Sequence, residues 1–311
     1  MRSILFFSAL IAVLGAVSAL FSQSTATKKY AVLVGINDFR AKETLVFDNA
    51  EPKPGQEVEL EIANGVKMKF CWIPPGKATL GSPESEKDRS EDEKEHEYTS
   101  QGYWLAKHPV TQEEWTAVMG TTPFWFHKEG DGKDKVRGLE TGRFPAEQVS
   151  WDNAQEFIKK LNGKLGSGSL QKLFGTGMKL SLPHEDEWEY ACRGGLGNKR
   201  VYYWGDSLNG DKANCNGEYP YGTEAKGENL KRTSRVGMYE SKAPHPWGLC
   251  DMSGNVFQWC ENKFDATGSV RDVRGGSWIS NAGYCRSAYR NGGDPTDRSN
   301  ILGFRLAVAN R

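Results

Sequence analysis

The chain has 311 residues, and its 38% hydrophobic and 26% charged content supports a packed core and excludes a wholly disordered chain. Lys and Arg number 40, as do Asp and Glu, so the formal net charge is zero and no overall charge favours nucleic acid or an anionic membrane as a partner. The 35 Gly, 10 Trp, 11 Tyr and 14 Phe favour a loop-rich fold held by aromatic clusters over a helix bundle.

Residues 1–26 have the layout of a secretory signal peptide. Arg2 supplies a positive charge, an apolar run follows from Ile4 to Phe21, and small residues precede cleavage points after Ala19 and Ala26. The alternative is an uncleaved membrane anchor, because about 18 apolar residues just span a bilayer. Ser, Ala and Gly dilute this run, so we expect cleavage and export, either to a periplasm or to the exterior.

Residues 27–59 are predicted to be a lead-in strand followed by a linker. Residues 29–39 resemble the opening strand of caspase-like peptidases, and Cys192 lies in an Ala-Cys-Arg-Gly sequence typical of a caspase nucleophile. Such a nucleophile follows an apolar strand, whereas Cys192 follows a polar, helical segment. We therefore interpret residues 29–50 as an extra strand or a remnant, not as part of a working peptidase.

Residues 60–309 are predicted to form one domain, because no repeat or low-complexity tract interrupts them. Residues 65–73 alternate between polar and apolar positions, as a half-buried strand does. Residues 84–97 are almost wholly charged and are predicted to be a solvated loop.

Three helices are predicted from their end signals. Thr111 opens a capping box and Gly120 ends the first helix. Ser150 caps the second helix, and the third runs from Pro183 to about Cys192. Beyond this point the helical period is lost, and strands are expected in three short runs, 254–260, 273–278 and 303–308.

The cysteines and histidines do not by themselves predict a metal site. No CxxC pair, zinc-finger spacing or HExxH motif occurs. An exported chain with six cysteines can form three disulfides in any of 15 connectivities, and the sequence does not choose between them. The six are Cys71, Cys192, Cys215, Cys250, Cys260 and Cys285.

A series of ordered motifs resembles the formylglycine-generating enzyme family, also called sulfatase-modifying factors. In chain order they are Ile73–Gly76 with Leu80–Ser82, Pro109–Trp115, Pro145 with Val149–Trp151, Leu180–Gly195, Tyr203–Asp206, Gly248–Trp259, Arg274–Trp278, Cys285–Ala288 and Gly303–Arg305. The resemblance implies an α+β fold, a variant of the C-type lectin fold with little regular secondary structure.

The resemblance also implies an oxidative site. In the aerobic enzymes of the family, two cysteines near the C-terminus bind Cu(I), activate O2 and oxidise a substrate cysteine to formylglycine. Counting from the Gly-Gly-Ser motif, these positions fall at Ser280 and Cys285. Since Cu(I) is a soft ion that prefers thiolates, one thiolate cannot form the two-sulfur site, and we expect no copper. Cys285 is interpreted as a buried or disulfide-bonded residue, with a residual copper or redox ligand as the alternative.

Other residues near Cys285 take roles by the same resemblance. Ser277 joins Ser280 and Cys285 as a candidate catalytic residue, and Trp278, Arg286 and Arg290 are candidates for the substrate pocket. Iron is disfavoured, because the chain lacks the His-x-x-x-His-x-Glu pattern of the iron-dependent members.

Calcium is the metal that the resemblance favours. One family site matches the side chains of Asp251 and Gln258 and the carbonyls of Gly254 and Val256. The other matches the side chains of Asn214 and Glu228 and the carbonyls of Cys215 and Leu230. The family usually has Glu in place of Gln258, so the lost charge predicts weaker binding there. The alternative is that both sets are polar turn residues without a metal.

Two functions stay open at this point. The chain is either an oxidase that makes formylglycine in exported sulfatases, or a non-catalytic, lectin-fold module that binds a sulfatase-type polypeptide or another exported ligand. The serine at position 280 favours the second, and fold alone does not decide between them.

Overall fold

The computed structural model of the protein describes residues 51–265 and 268–310, apart from the side chain of residue 167. The predicted signal peptide and residues 29–39 lie outside this part. A compact unit begins at Lys53. Within the described residues, no helix has the length and apolar character needed to cross a bilayer.

The strands are short and fall into three sheets. In chain order they are β1 (Glu57–Ala63), β2 (Val66–Ile73), β3 (Gly76–Leu80), β4 (His96–Ser100), β5 (Tyr103–Ala106), β6 (Met178–Ser181), β7 (Phe257–Lys263), β8 (Arg271–Arg274), β9 (Arg290–Gly293), β10 (Leu302–Phe304) and β11 (Ala307–Asn310). The largest sheet is antiparallel, in the order β1-β2-β5-β11-β6. A second has the order β10-β7-β8-β9, with β10 parallel to β7, and β3 pairs with β4.

The predicted strand over 65–73 is confirmed by β2, but other boundaries differ from expectation. β1 begins at Glu57, so residue 60, the predicted start of the domain, lies inside a strand. The predicted strand 273–278 ends at Arg274, because Gly275 and Gly276 have φ of 95° and 74° and turn the chain. The predicted strand 303–308 is divided at Arg305 into two strands of different sheets.

The three predicted helices are confirmed. α1 (Gln112–Met119) has the expected capping box and ends at Gly120, α2 (Trp151–Phe174) is capped by Ser150 and broken at Gly166, and α3 (Glu185–Cys192) starts two residues after Pro183. The side-chain amide of Asn162 exchanges two hydrogen bonds with the backbone of Leu180, which fixes α2 on β6. The main apolar core lies between α1, α2 and the largest sheet, whereas the buried hydrophobic residues of α3 belong to a second apolar cluster.

The charged segment 84–97 is mostly exposed, as its composition predicts, but the carboxylates of Glu86 and Glu93 are buried. Glu93 is almost completely buried, and its carboxylate accepts hydrogen bonds from Ser82 and from the guanidinium of Arg286. Glu86 also pairs with Arg286. Composition did not indicate this burial. A buried carboxylate needs a cationic partner, and the partner of Glu86, Arg286, lies 200 residues away in sequence.

Candidate functional site

The segment that follows β8 places the predicted catalytic residues in a tight turn. A Cβ atom at Gly276 would lie 2.5 Å from the Cys285 sulfur and 2.8 Å from the Tyr284 carbonyl oxygen, so only glycine fits at this position. The Gly-Gly pair therefore allows the backbone to pass directly over Cys285.

The Ser277 and Ser280 side chains bond to each other inside this turn. The Ser280 hydroxyl accepts a hydrogen bond from the Ser277 backbone N–H at 3.0 Å, and the two hydroxyl oxygens are also 3.0 Å apart. The Ser280 N–H in turn donates to the Ser277 carbonyl. Both serines are buried, so their hydroxyls stabilise the turn.

Cys285 is completely buried, and its neighbour was not predicted from the sequence. Its thiol makes a side-chain hydrogen-bond contact with the thiol of Cys215, and the N–H groups of Ser277 and Gly254 also hydrogen-bond to its sulfur. The contact with Cys215 and burial together raise the pKa of the Cys285 thiol well above its usual range. The sulfur is therefore a protonated thiol at neutral pH. No local spacing links two residues so far apart in sequence.

The three predicted pocket residues lie in different surroundings. Arg286 is buried, with its guanidinium bonded to Glu86, Glu93 and the carbonyls of Gly283 and Asp88. Arg290 pairs with Glu185 and Asp272. Trp278 packs edge-on against Phe126 at 5.4 Å and donates to the Asn300 carbonyl. The Arg286 guanidinium is thus engaged within the protein rather than directed into an open pocket.

A groove beside the Ser280–Cys285 segment presents the open surface of this region. Its volume is about 790 Å³, and Tyr219 and Tyr284 on its walls are 58% and 48% exposed. The complete lining is Lys87, Asp88, Glu218, Tyr219, Pro220, Tyr221, Gly222, Thr223, Glu224, Lys226, Asn281, Gly283 and Tyr284. The groove is therefore formed by loops, where binding residues commonly gather.

The Ser280 and Cys285 pair does not fit copper. The Ser280 hydroxyl offers no soft anion, and the Cys285 thiol is neutral and buried. Across the described residues, no group of three or more His, Cys, Asp and Glu side chains is arranged to hold a metal ion. Ser280 and Cys285 therefore do not supply the two-thiolate site that copper needs.

The predicted calcium site at Asp251–Gln258 does not fit calcium either. The Gln258 amide oxygen accepts hydrogen bonds from Trp188 and Arg305, and its amide nitrogen donates to the Asp251 carbonyl. Asp251 accepts from the Gly237 N–H, and burial raises the pKa of its carboxyl to about 6. Gln258 thus acts as an internal bridge, because its oxygen is already occupied by two donors.

The predicted site at Asn214 fits a cation better. The Asn214 side-chain oxygen is buried and has no hydrogen-bond partner, whereas its amide nitrogen donates to the Arg232 carbonyl, Ser234 and Asn255. These bonds fix the orientation of the amide and leave its oxygen available. An unpartnered, buried amide oxygen is one of the hard oxygen donors that Ca²⁺ prefers.

The protein has an α+β fold of short strands, with loops that form a groove and a buried serine-cysteine turn. A comparison with known sequence families agrees with this class of fold. Residues 60–310 match the sulfatase-modifying factor enzyme 1-like domain. The chain belongs to this family, and the predicted fold and resemblance are confirmed.

Relatives include one protein named as a formylglycine-generating enzyme and one named as inactive. The chain is 32% identical to the formylglycine-generating enzyme of Streptomyces coelicolor over 220 residues, which are 61% of this chain and 63% of that protein. It is also 32% identical to the inactive C-alpha-formylglycine-generating enzyme 2 of Bos taurus over 191 residues, 59% of this chain and 56% of that protein. The matches thus span less than two thirds of these relatives.

Solved structures show the same fold. Treponema denticola variable protein 1 superimposes with a TM-score of 0.62 at 25% identity, covering 81% of this chain and 98% of that protein. PvdO from Pseudomonas aeruginosa gives a TM-score of 0.62 at 21% identity, covering 83% and 99%.

Proposed function

We propose that this chain is an exported, non-oxidising member of its family that binds a polypeptide segment in the groove beside Ser280–Cys285. The observation that carries the proposal is that residue 280 is a serine whose hydroxyl is held inside the protein. Where the aerobic enzymes need a second thiolate, a serine hydroxyl is hydrogen-bonded to Ser277. The relative named inactive supports a family member without the activity, and the relative named as a formylglycine-generating enzyme means that family membership alone does not decide.

The groove has the chemistry of a polypeptide-binding surface. Tyr219 and Tyr284 offer rigid rings with a polar tip, which supply contact area at low entropic cost. The groove is lined by three carboxylates, from Asp88, Glu218 and Glu224, and by only two ammonium groups, from Lys87 and Lys226. This excess of negative charge favours a segment that carries a basic side chain.

A second function is favoured by one observation, the contact between Cys215 and Cys285. Cys215 brings a second sulfur to the retained cysteine from a different part of the chain. If this pair bound Cu(I), the chain would be an oxidase with a rearranged site.

One experiment separates these functions. The reduced wild type, Ser280→Cys and Cys215→Ala are titrated with Cu(I) and incubated with copper, O2 and a sulfatase-derived cysteine peptide. We expect no oxidation by the wild type, and Cu(I) binding with some oxidation only in Ser280→Cys, which adds a thiol at the family spacing. Oxidation by the wild type that is lost in Cys215→Ala would overturn the proposal in favour of the rearranged oxidase.

Binding is measured separately from oxidation. The probes are the same peptide and a copy with serine in place of its cysteine, titrated by calorimetry. We expect equal affinities for both peptides and at least tenfold weaker binding by Tyr219→Ala and Tyr284→Ala. The matched control is Leu139→Ala, an exposed apolar residue that does not line the groove. Equal binding by all four proteins, or none by the wild type, would contradict this function.

Export rests on the charged start and apolar run of residues 1–26. We expect N-terminal sequencing of mature protein to begin after Ala19 or Ala26. A mature protein that starts at Met1 would remove this part of the proposal.

A further inference from the structure

We propose that Cys215 and Cys285 form a reversible disulfide beneath the wall of the groove. The inference does not depend on what the groove binds, because it concerns two thiols that are buried below it. All six cysteines are free thiols in this structure. The Cys285 thiol interacts with the Cys215 side chain and also lies 3.9 Å from the Asn281 carbonyl oxygen, whereas the thiols of Cys192 and Cys260 contact only a hydroxyl or carbonyl oxygens in the described residues.

The surroundings of the pair hold the two sulfurs together. Cys215 and Cys285 belong to one small apolar cluster, apart from the main core. Tyr202 contributes to the same cluster and donates to the Ala282 carbonyl at 2.7 Å, which fixes the short helical turn that carries Cys285. A disulfide here therefore replaces a thiol contact within an already packed apolar cluster.

The backbone aligns the two segments independently of the thiols. The Asn216 N–H donates to the Ser280 carbonyl at 2.9 Å, and Asn216 forms an isolated parallel bridge with Asn281. The Ala282 N–H donates to the Tyr219 carbonyl at 3.1 Å. Because these bonds join the residues that follow Cys215 to those that precede Cys285, the backbone itself brings the two cysteine-bearing segments together.

The oxidation is a thiol–disulfide exchange with an external disulfide, such as glutathione disulfide or an oxidised thiol-exchange protein. A thiolate of one cysteine attacks the oxidant, releasing one thiol and forming a mixed disulfide. The second cysteine loses its proton and attacks the mixed disulfide, which releases the second thiol. The protein loses two electrons and two protons, and the oxidant becomes two thiols. Both cysteines are buried in the fold, so the exchange takes place during folding or local opening.

The disulfide has two consequences for this region. It closes the long loop between residues 215 and 285, so it restricts the unfolded chain strongly. It also ties the segment that carries Glu218 and Tyr219 to the segment that carries Tyr284, and both segments form walls of the groove. Oxidation consumes the Cys285 thiol as well, so the oxidised protein has no thiolate there for a soft metal.

The experiment uses the full chain folded in glutathione buffers of different redox ratio. Samples are quenched in acid, free thiols are alkylated in denaturant, and tryptic peptides are analysed by mass spectrometry. We expect Ala213–Lys226 to be joined to Gly275–Arg286 under oxidising conditions, with the other four cysteines alkylated. We also expect oxidation to raise Tm by about 5–15 °C in the wild type.

Three variants keep the test decisive. Cys215→Ala and Cys285→Ala should each lose the joined peptides and the redox-dependent rise in Tm. Cys71→Ala removes a buried thiol from a different cluster and should keep both. If Cys215→Ala or Cys285→Ala fails to fold, the joined peptides of the wild type and of Cys71→Ala still test the inference. Six alkylated cysteines in the most oxidising buffer, or Cys215 joined to another partner, would overturn the inference.

Discussion

The largest sheet and the loop region that carries the groove are stabilised by different interactions. In the sheet, neighbouring strands satisfy backbone groups, and the apolar core lies against one face. In the loops, buried arginines satisfy carbonyl groups that have no strand beside them. Arg286 donates to the carbonyls of Gly283 and Asp88, and Arg274 donates to three carbonyls of residues 287–289. Because a guanidinium carries five donors, one side chain can fix several turns.

These arginines differ in how their charge is balanced. Arg286 faces Glu86 and Glu93, and Arg274 faces Glu189. Arg305 instead donates to Gln258 and to backbone carbonyls, and burial lowers the pKa of its guanidinium to about 10. The loop region thus depends on a few charged side chains, whereas the sheet distributes its stability over many apolar contacts.

The strongest test of this difference is Arg286→Ala. It leaves two buried carboxylates without their cation, so we expect a loss of about 3–5 kcal/mol in the free energy of unfolding. Arg137→Ala is the matched control, because it breaks an exposed ion pair with Asp134 and should cost no more than about 1 kcal/mol. Urea unfolding of both variants measures the two costs. Equal, small losses would show that the loops do not depend on Arg286.

Whereas the buried arginines donate hydrogen bonds to carbonyl groups, the buried Glu147 accepts them from backbone N–H groups. Glu147 accepts hydrogen bonds from Trp125 and Phe126 at 3.0 and 2.8 Å, and burial raises the pKa of its carboxyl to about 8. In the unfolded chain this carboxyl loses its proton near pH 4.3. Between these values the folded state binds more protons, so stability should fall as pH rises, by on the order of 3 kcal/mol between pH 5 and 8.

The measurement for Glu147 is the free energy of unfolding as a function of pH. Glu147→Gln cannot titrate, so its curve should fall less over pH 5–8 than that of the wild type. Because the variant also changes a hydrogen bond, the slopes are compared and not the absolute stabilities. Parallel curves would mean that Glu147 is ionised in the folded state across this range.

Calcium bound at Asn214, in the loop region, should raise the free energy of unfolding of the folded protein. A ligand that binds only the folded state adds about 2.7 kcal/mol at a concentration 100 times its Kd. We expect a chelator to lower the Tm of the wild type and to leave that of Asn214→Ala unchanged, since the unpartnered Asn214 oxygen is lost. Asn291→Ala, which changes an exposed residue of β9, should respond like the wild type. An unchanged Tm in the wild type, with no calcium in the purified protein, removes the site.

The smallest effect is expected where the interaction is local. Thr111→Ala removes the side-chain half of the capping box of α1 and should cost about 1 kcal/mol. Thr111→Ser keeps the hydroxyl and serves as the control. A loss near that of Arg286→Ala would show that the cap carries tertiary contacts as well.

Local signals in the sequence predicted the helices. Most features that differ from the sequence-based predictions depend on interactions between residues distant in sequence. Capping depends on residues three positions apart, so Thr111 and Ser150 were correctly placed. Strand ends depend on a partner strand, so the division at Arg305 was not visible. The charges of Glu86 and Glu93 suggested solvent, because their partner Arg286 is distant in sequence.

The candidate site was predicted only in part for the same reason. Family motifs located the buried turn of Ser277, Ser280 and Cys285, whereas the groove is lined by the neighbouring Asn281, Gly283 and Tyr284. The motifs did not indicate Cys215, because its proximity to Cys285 arises from two separate segments that meet only in the fold.

The position of β1 and β11 in one sheet has a consequence for engineering. Pairing with β2 and β5 places Glu57 and Ala307 in the same row of the sheet, three strands apart, or about 14 Å. β1 starts and β11 ends on the same side of that row. A short glycine-rich linker could therefore connect residues 310 and 53, and a new terminus could be opened in an exposed turn such as Asn64-Gly65. Such a circularly permuted domain would keep the groove intact, and it could be inserted into the loop of a host protein to display that groove.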